Sequence, residues 1–292
     1  MKLVTFTDLN ATIATIGVVV DEQVVSLAGV APDMLGLIAM GAVGLEDARR
    51  VVAETAAADR MPLERVRLLA PIPRPRKNIF CLGQNYAAHA RESMRARGLP
   101  EKLPEHPVIF TKAVTTVNDP DGAIVLDPHV TQSLDYEVEL AFIIGPGGKN
   151  IAREEAMSHV WGYTIVNDVS ARDLQNRHQQ FFKGKSLDGS CPMGPWIVTA
   201  DEIPDPAALG LRLRLNGETR QDSTVADLIF DIPTIIEILS LGQTIEAGDI
   251  VATGTPSGVG MGLQPPSYLK VGDIMEAEID QIGVLRNHIV AA

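Results

Sequence analysis

The stretch SLDYEVELAFIIG, residues 133–145, runs into an unbroken apolar segment and reads as a buried β-strand. It carries Glu137 and Glu139. Residues i and i+2 of a strand project from the same face, so these two carboxylates stand together, about 7 Å apart at Cβ. Ionised carboxylates that close repel one another, and burial strengthens the repulsion. A cation, a shared proton or exposure at a sheet edge must compensate. A solvated edge strand is one solution. The other is a cation site, which needs donors from further strands.

Such strands are plentiful. From residue 107 onward the segments PVIFTKA, AIVLD, WGYTIVNDVS, WIVTA, LRLRLNGE, DIVATGTP and DIMEAEIDQIGVLRNHIV all have β character. The chain's 25 glycines and 19 prolines punctuate them with turns. STVADLIFDIPTIIEILSLG is the clearest helix of this half, with Asp231 and Pro233 at its start. Many strands and few helices predict a β-rich assembly of twisted sheets or an open barrel, not a doubly wound parallel sheet. Residues 1–70 read as a small α+β domain. KLVTFTD, ATIATIGVVV and QVVSLAG are predicted strands, and PDMLGLIAMGAVGLEDARRVVAETAA is a predicted helix. APIPRPRKN, residues 70–78, forms a stiff connector, so the larger domain is expected over 71–292.

With 292 residues, 46% of them hydrophobic, the chain can bury a sizeable core. A formal net charge of −12 argues against nucleic acid or an anionic membrane as partner. It admits a small anionic substrate only at a local cationic pocket or a metal. No segment reaches the roughly 18 consecutive apolar residues of a membrane helix, and the N-terminus lacks a signal-peptide pattern. A cytoplasmic protein is therefore expected, with Cys81 and Cys191 as reduced thiols.

Further polar residues sit in apolar or glycine-rich settings. Asp168 ends the strand in GYTIVNDVSARD, where it is either a cap for the next helix or a third oxygen donor beside Glu137 and Glu139. Three carboxylates would suit a hard cation such as Mg²⁺ or Mn²⁺ and leave coordination positions open. His89 and Glu92 in NYAAHARE share one helix face, as a base with its orienting carboxylate or as a solvated pair. FFKGKSLDG presents Lys183 and Lys185, each a surface lysine or a site residue. TGTPSGVG, residues 253–260, can offer backbone N–H groups to a carboxylate or enolate oxygen.

Taken in order, IFCLGQNYAAHARE, PVIFTK, DYEVELAFIIG, GYTIVNDVSARDLQ, FFKGKSLDGSCPMGPWIVT, LRLRLNGETRQDSTVADLIF, GDIVATGTPSGVG and LKVGDIMEAEIDQIGVLRN resemble the fumarylacetoacetate hydrolase superfamily. The likeness is to its acylpyruvate hydrolase-like and 2-hydroxyhepta-2,4-diene-1,7-dioate isomerase-like bacterial members, and it covers residues 71–292. It implies a β-rich α+β fold, with mixed sheets rolled around a metal site, and a homodimer. It assigns Mg²⁺ or Mn²⁺ to Glu137, Glu139 and Asp168, and catalysis to His89 and Glu92 on a lid together with Lys185. Lys112, Gln175, Gln221 and Thr255 fall on substrate-contacting positions. The implied activity is hydrolysis of a carbon–carbon bond in a 2,4-dioxo acid of acylpyruvate or fumarylpyruvate type, as in aromatic catabolism. Oxaloacetate decarboxylation and 2-hydroxydienoate isomerisation or tautomerisation are alternatives on the same residues. A non-catalytic scaffold retaining the fold is the reading from a different class.

Overall fold

The computed structural model describes residues 1–9 and 12–292. Its main sheet has twelve strands among the described residues. The principal path runs Met61–Pro62, Gln23–Ser26, Thr15–Val20, Lys2–Asp8, Cys191–Thr199, Val160–Asn167, Val138–Ile144, Ile250–Ala252, Ile79–Gly83, Val108–Lys112. Neighbours on this path are antiparallel except Ile250–Ala252 and Ile79–Gly83, which are parallel. A five-stranded sheet runs Glu218–Thr224, Gly210–Leu215, Ile274–Ile279, Gly283–Ala291, Ala123–Leu126, with a parallel last pair. The protein is therefore a β-rich α+β fold built on mixed sheets.

The strand Val138–Ile144 organises the layers, because it is buried at every position. Leu140, Phe142 and Ile144 enter a core shared with Leu211, Leu213, Met275 and Leu285 of the smaller sheet. Ala141 and Ile143 face the other way, into a core with Leu37, Ile38 and Ala48 of the helices Met34–Ala39 and Gly41–Glu54. Glu139 shares that second face by the two-residue period. Residues Lys2 and Leu3 pair with Val198 and Ile197, so the N-terminal strands extend the sheet that carries the acidic residues.

Three local departures have physical causes. The single helix predicted over 32–57 is two helices, because Gly41 adopts φ +59°, a left-handed turn that glycine makes without steric cost. The strand predicted for ATIATIGVVV begins at Thr15; Ala11, its first residue, lies outside the described residues. DYEVELAFIIG is not one strand. Leu134–Asp135 pairs with Ser170–Ala171, and Val138–Ile144 pairs with Val160–Asn167. Between the two ladders the Glu137 N–H donates to the Asn167 side chain at 3.0 Å, and the Asp168 N–H donates to the Glu137 carbonyl at 2.8 Å. That interruption sets two acids side by side. The helix Ile232–Ser240 starts as expected: Asp231 accepts from the Thr234 N–H at 3.0 Å, with Pro233 in the first turn.

Phe142 is fully buried between the sheets. Phe142→Ala is expected to lower the free energy of unfolding by about 3–5 kcal/mol, read from urea denaturation of the metal-free protein. A loss below about 1 kcal/mol would show that this strand is not the centre of the core.

Candidate active site

Glu137, Glu139 and Asp168 converge, each offering a carboxylate oxygen within 4.8 Å of the others, and all three are buried. Oxygen-only donors of this kind suit a hard divalent cation. Asp168 Oδ1 is buried without a hydrogen-bond partner, although Lys112 Nζ lies 2.8 Å away. That contact is ionic and off the hydrogen-bond axis, so the oxygen retains capacity for another cation. The donor set therefore fits Mg²⁺ or Mn²⁺.

Cations surround the acids. Lys185 Nζ donates to Glu137 at 2.6 Å and to Asp168 at 2.7 Å. Lys183, two residues earlier, is exposed. Lys185 reaches inward because the helix Phe182–Lys185 lies directly on Arg172–Arg177. A Cβ on Gly184 would come within 2.5 Å of the Gln175 backbone nitrogen, so only glycine permits the approach. Lys112 also donates to the Val169 carbonyl at 3.2 Å, from behind Asp168.

Arg172 and Asp135 were not among the residues singled out from the sequence. Arg172 Nε donates to Asp135 at 2.8 Å, Nη1 donates to Gln175 at 3.1 Å, and Nη2 lies 2.7 Å from Glu137. Asp135 in turn accepts from the Gly260 and Met261 N–H groups. The available signal was charge balance: three buried acids need more cation than one lysine supplies.

These contacts split the titration of the two adjacent glutamates. Burial alone pushes Glu137 upward, but Lys185, Arg172 and His89 outweigh it and hold its carboxyl at about 2. Glu139 goes the other way, well above its ordinary value. Burial is the main cause, followed by repulsion from Asp168 and Glu137, against Lys185 and the Gly254 N–H. That N–H donates to Glu139 at 2.8 Å. Burial raises both thiols as well, Cys191 to about 12, so neither is a nucleophile at neutral pH.

The helix Ala87–Ala96 covers the cluster. His89 Nδ1 stands 3.3 Å from Glu92, which also accepts from the Gly258 N–H at 3.0 Å. His89, Glu137, Glu139, Lys185, Gln175 and Thr255 line one cavity of about 20 Å³, room for a single water. Gln221 and Lys112 stand behind this wall. Gln221 accepts from the Val138 N–H at 3.0 Å and donates to Thr255 at 2.7 Å and the Pro256 carbonyl at 2.8 Å, so its whole amide is spent on holding the wall.

The family profile described as fumarylacetoacetate (FAA) hydrolase, C-terminal, matches residues 78–290. The chain belongs to that family. Among curated relatives, oxaloacetate tautomerase YisK of Bacillus subtilis is 53% identical over 227 residues, 78% of this chain and 74% of the relative. Among solved structures, fumarylacetoacetate hydrolase from Exiguobacterium antarcticum is 40% identical with a TM-score of 0.85, covering 100% of both chains. Maleylpyruvate hydrolase from Sphingobium sp. SYK-6, solved with manganese(II) and pyruvate, is 30% identical with a TM-score of 0.81, again over 100% of both chains. The family fold and the enzyme class follow. Among the described residues no helix is long and apolar enough to cross a membrane.

The raised Glu139 gives a stability signature. Its unfolded-state value is near the ordinary 4.5 and its folded value is higher, so between the two the folded state holds a proton that the unfolded state lacks. Stability of the metal-free protein therefore falls as pH rises through that window. Glu139→Gln removes the titration. It is expected to flatten the melting temperature against pH and to exceed wild type at the alkaline end, by thermal melts in EDTA. Wild-type and variant curves that run parallel would exclude this repulsion.

Proposed function

We propose that the chain is a divalent-metal-dependent enzyme that moves a proton between carbon and oxygen of a small 2-oxo acid, interconverting enol and keto forms of an oxaloacetate-type substrate. Glu137, Glu139 and Asp168 are the proposed metal ligands, with Mg²⁺ or Mn²⁺ as the ion. The observation that carries the reading is the buried three-carboxylate cluster opening into a cavity beneath His89. The name of the 53% identical relative supports tautomerisation ahead of the hydrolysis that the sequence put first.

The charge balance suits an acidic substrate. The ion-paired cations Lys112, Lys185 and Arg172 stand against Glu137, Glu139, Asp168 and Asp135, one positive charge short of neutrality when all are ionised and Arg97 of the outer wall is left aside. A dication turns that deficit into an excess of one, which attracts an anion. When bound, the ion supplies a Lewis acid that polarises the 2-oxo group and steadies the charge left by the departing proton. The rest is the work of side chains. Glu92 holds Nδ1 of His89, which leaves Nε2 to take a proton from the substrate carbon or return one. Lys185 and the Arg172–Gln175 pair provide donors for the C1 carboxylate. The helix Ala87–Ala96 lies over the cavity, and its displacement would widen the access for substrate.

Carbon–carbon hydrolysis is the second reading, supported by the likeness to maleylpyruvate hydrolase. There His89 would deprotonate a water that attacks the distal carbonyl. Oxaloacetate decarboxylation needs no proton shuttle to carbon in its first step and is the third. A homodimer is the proposed assembly, checked by light scattering.

His89→Ala is expected to slow decay of the oxaloacetate enol absorbance by about 10²–10⁴-fold, with acetylpyruvate cleavage and oxaloacetate decarboxylation assayed alongside. Full enol-to-keto activity in the variant would remove His89 from proton transfer. Loss of acetylpyruvate cleavage from a wild type that is inert on the enol would favour the hydrolase. Inertness on all three would leave the scaffold reading.

EDTA is expected to abolish activity, and Mg²⁺ or Mn²⁺ to restore it. Because Glu139 must lose its proton to act as a ligand, metal affinity should rise with pH, by up to about tenfold per unit while Glu139 remains protonated. Calorimetric titrations in buffers of different ionisation enthalpy would show the released proton. A pH-independent affinity without proton release would exclude Glu139 as a ligand.

A further inference from the structure

The cations lining and flanking the acidic cluster are paired with one exception among the described residues. Lys112 has Asp168, Lys185 has Glu137 and Asp168, and Arg172 has Asp135 and Glu137. Arg97 has no carboxylate partner among the described residues. It caps the C-terminal end of the covering helix Ala87–Ala96 and lies half-buried over the Phe181 ring, 5.6 Å from its centroid. Its Nε is buried without a hydrogen-bond partner. Arg97 forms part of the wall of the cavity beneath His89, together with Arg172 and Gln175. On its other side it lines an outer groove with Gln175, Phe181 and Tyr268.

This is an expensive place for a guanidinium. Burial and the like charge of Arg172 both act against its charged form, and the attraction of Glu137 only partly offsets them. Glu137 is already engaged by Lys185 and Arg172. A guanidinium cannot shed its proton at neutral pH, so the imbalance persists until an anion arrives. Phe181 limits the orientations of the planar group, which lowers the entropy lost when it grips a ligand.

We propose that Arg97 receives the second carboxylate of the substrate and so selects 2-oxo dicarboxylates over 2-oxo monocarboxylates. The inference rests on the 2-oxo acid reading above. The C1 carboxylate and 2-oxo group would be held at the acidic cluster, and the far carboxylate would meet the guanidinium fork in bidentate geometry. Because Arg97 ends the covering helix, the same contact ties closure of that helix to a substrate that carries the second charge. A purely structural arginine at a helix C-terminus would affect helix stability and leave ligand choice alone.

The test is calorimetric titration of the Mg²⁺-loaded protein with freshly prepared oxaloacetate and with pyruvate. Wild type is expected to bind oxaloacetate more tightly than pyruvate. Arg97→Gln should cut the ratio of the two affinities by about ten- to hundredfold, the worth of a charge-assisted hydrogen bond. Arg97→Lys should recover part of it, as a point charge without the fork. Pyruvate binding by each variant reports an intact acidic cluster. If both acids bind and the ratio is the same in wild type, Arg97→Gln and Arg97→Lys, Arg97 does not read the second carboxylate. If wild type binds neither acid, the 2-oxo acid reading falls and this inference falls with it.

Discussion

Three carboxylates within 4.8 Å of one another, all out of water, are the constraint around which this region is arranged. Unbalanced, they would drive each other to protonate or unfold the strand that carries them. Lys185 and Arg172 meet Glu137, and Lys112 and Lys185 meet Asp168, while Glu139 receives one backbone N–H and bears the residual repulsion. Each balancing cation imposes its own local demand. Lys185 requires the close helix contact at Gly184. Arg172 is paired with Asp135, whose carboxylate also accepts from the Gly260 and Met261 amides. Glu139 is therefore the member of the cluster whose ionised form is least balanced by the protein itself.

One loop, residues 253–262, serves several of these demands at once. Its Gly254 N–H holds Glu139, its Gly260 and Met261 N–H groups hold Asp135, and its Gly258 N–H holds Glu92 on the covering helix. Backbone amides do this with little entropy cost, because the loop is already fixed. A Cβ at Gly258 would fall 1.9 Å from the Arg220 carbonyl oxygen, and its φ is +105°, so glycine is obligatory there on both counts. The covering helix and the acidic cluster therefore bond to the same piece of backbone.

How much of this could be read from the sequence depended on the range of the interactions. The two-residue period puts Glu137 and Glu139 on one face, and a strand end exposes Asp168, so the three acids were legible locally. The helix start at Asp231 was legible for the same reason. Spacing alone left Lys183 and Lys185 equal; the steric demand at Gly184, which turns only Lys185 inward, involves a backbone nine residues away in sequence. Arg172 hid because it reads as an ordinary first-turn helix residue, and its partner Asp135 lies 37 residues earlier. Gln221 was marked only by the family resemblance, and its bonds to Val138, Thr255 and Pro256 were not legible. The division of the helix at Gly41 needed a φ value that composition does not report.

Tautomerisation, decarboxylation and carbon–carbon cleavage of 2-oxo acids share one requirement, stabilised negative charge on the oxygen next to C1. In the proposed function the acidic cluster and its cations address that requirement alone, so they would not discriminate between the reactions. Discrimination has to come from what stands around the far end of the substrate. Hydrolysis needs a water beside the distal carbonyl in addition to the substrate, whereas tautomerisation needs only a proton relay. The two residues proposed to act there, His89 and Arg97, belong to the covering segment and not to the sheet. On that proposal, reaction type and substrate choice would rest on one short helix, over a buried cluster common to all three reactions.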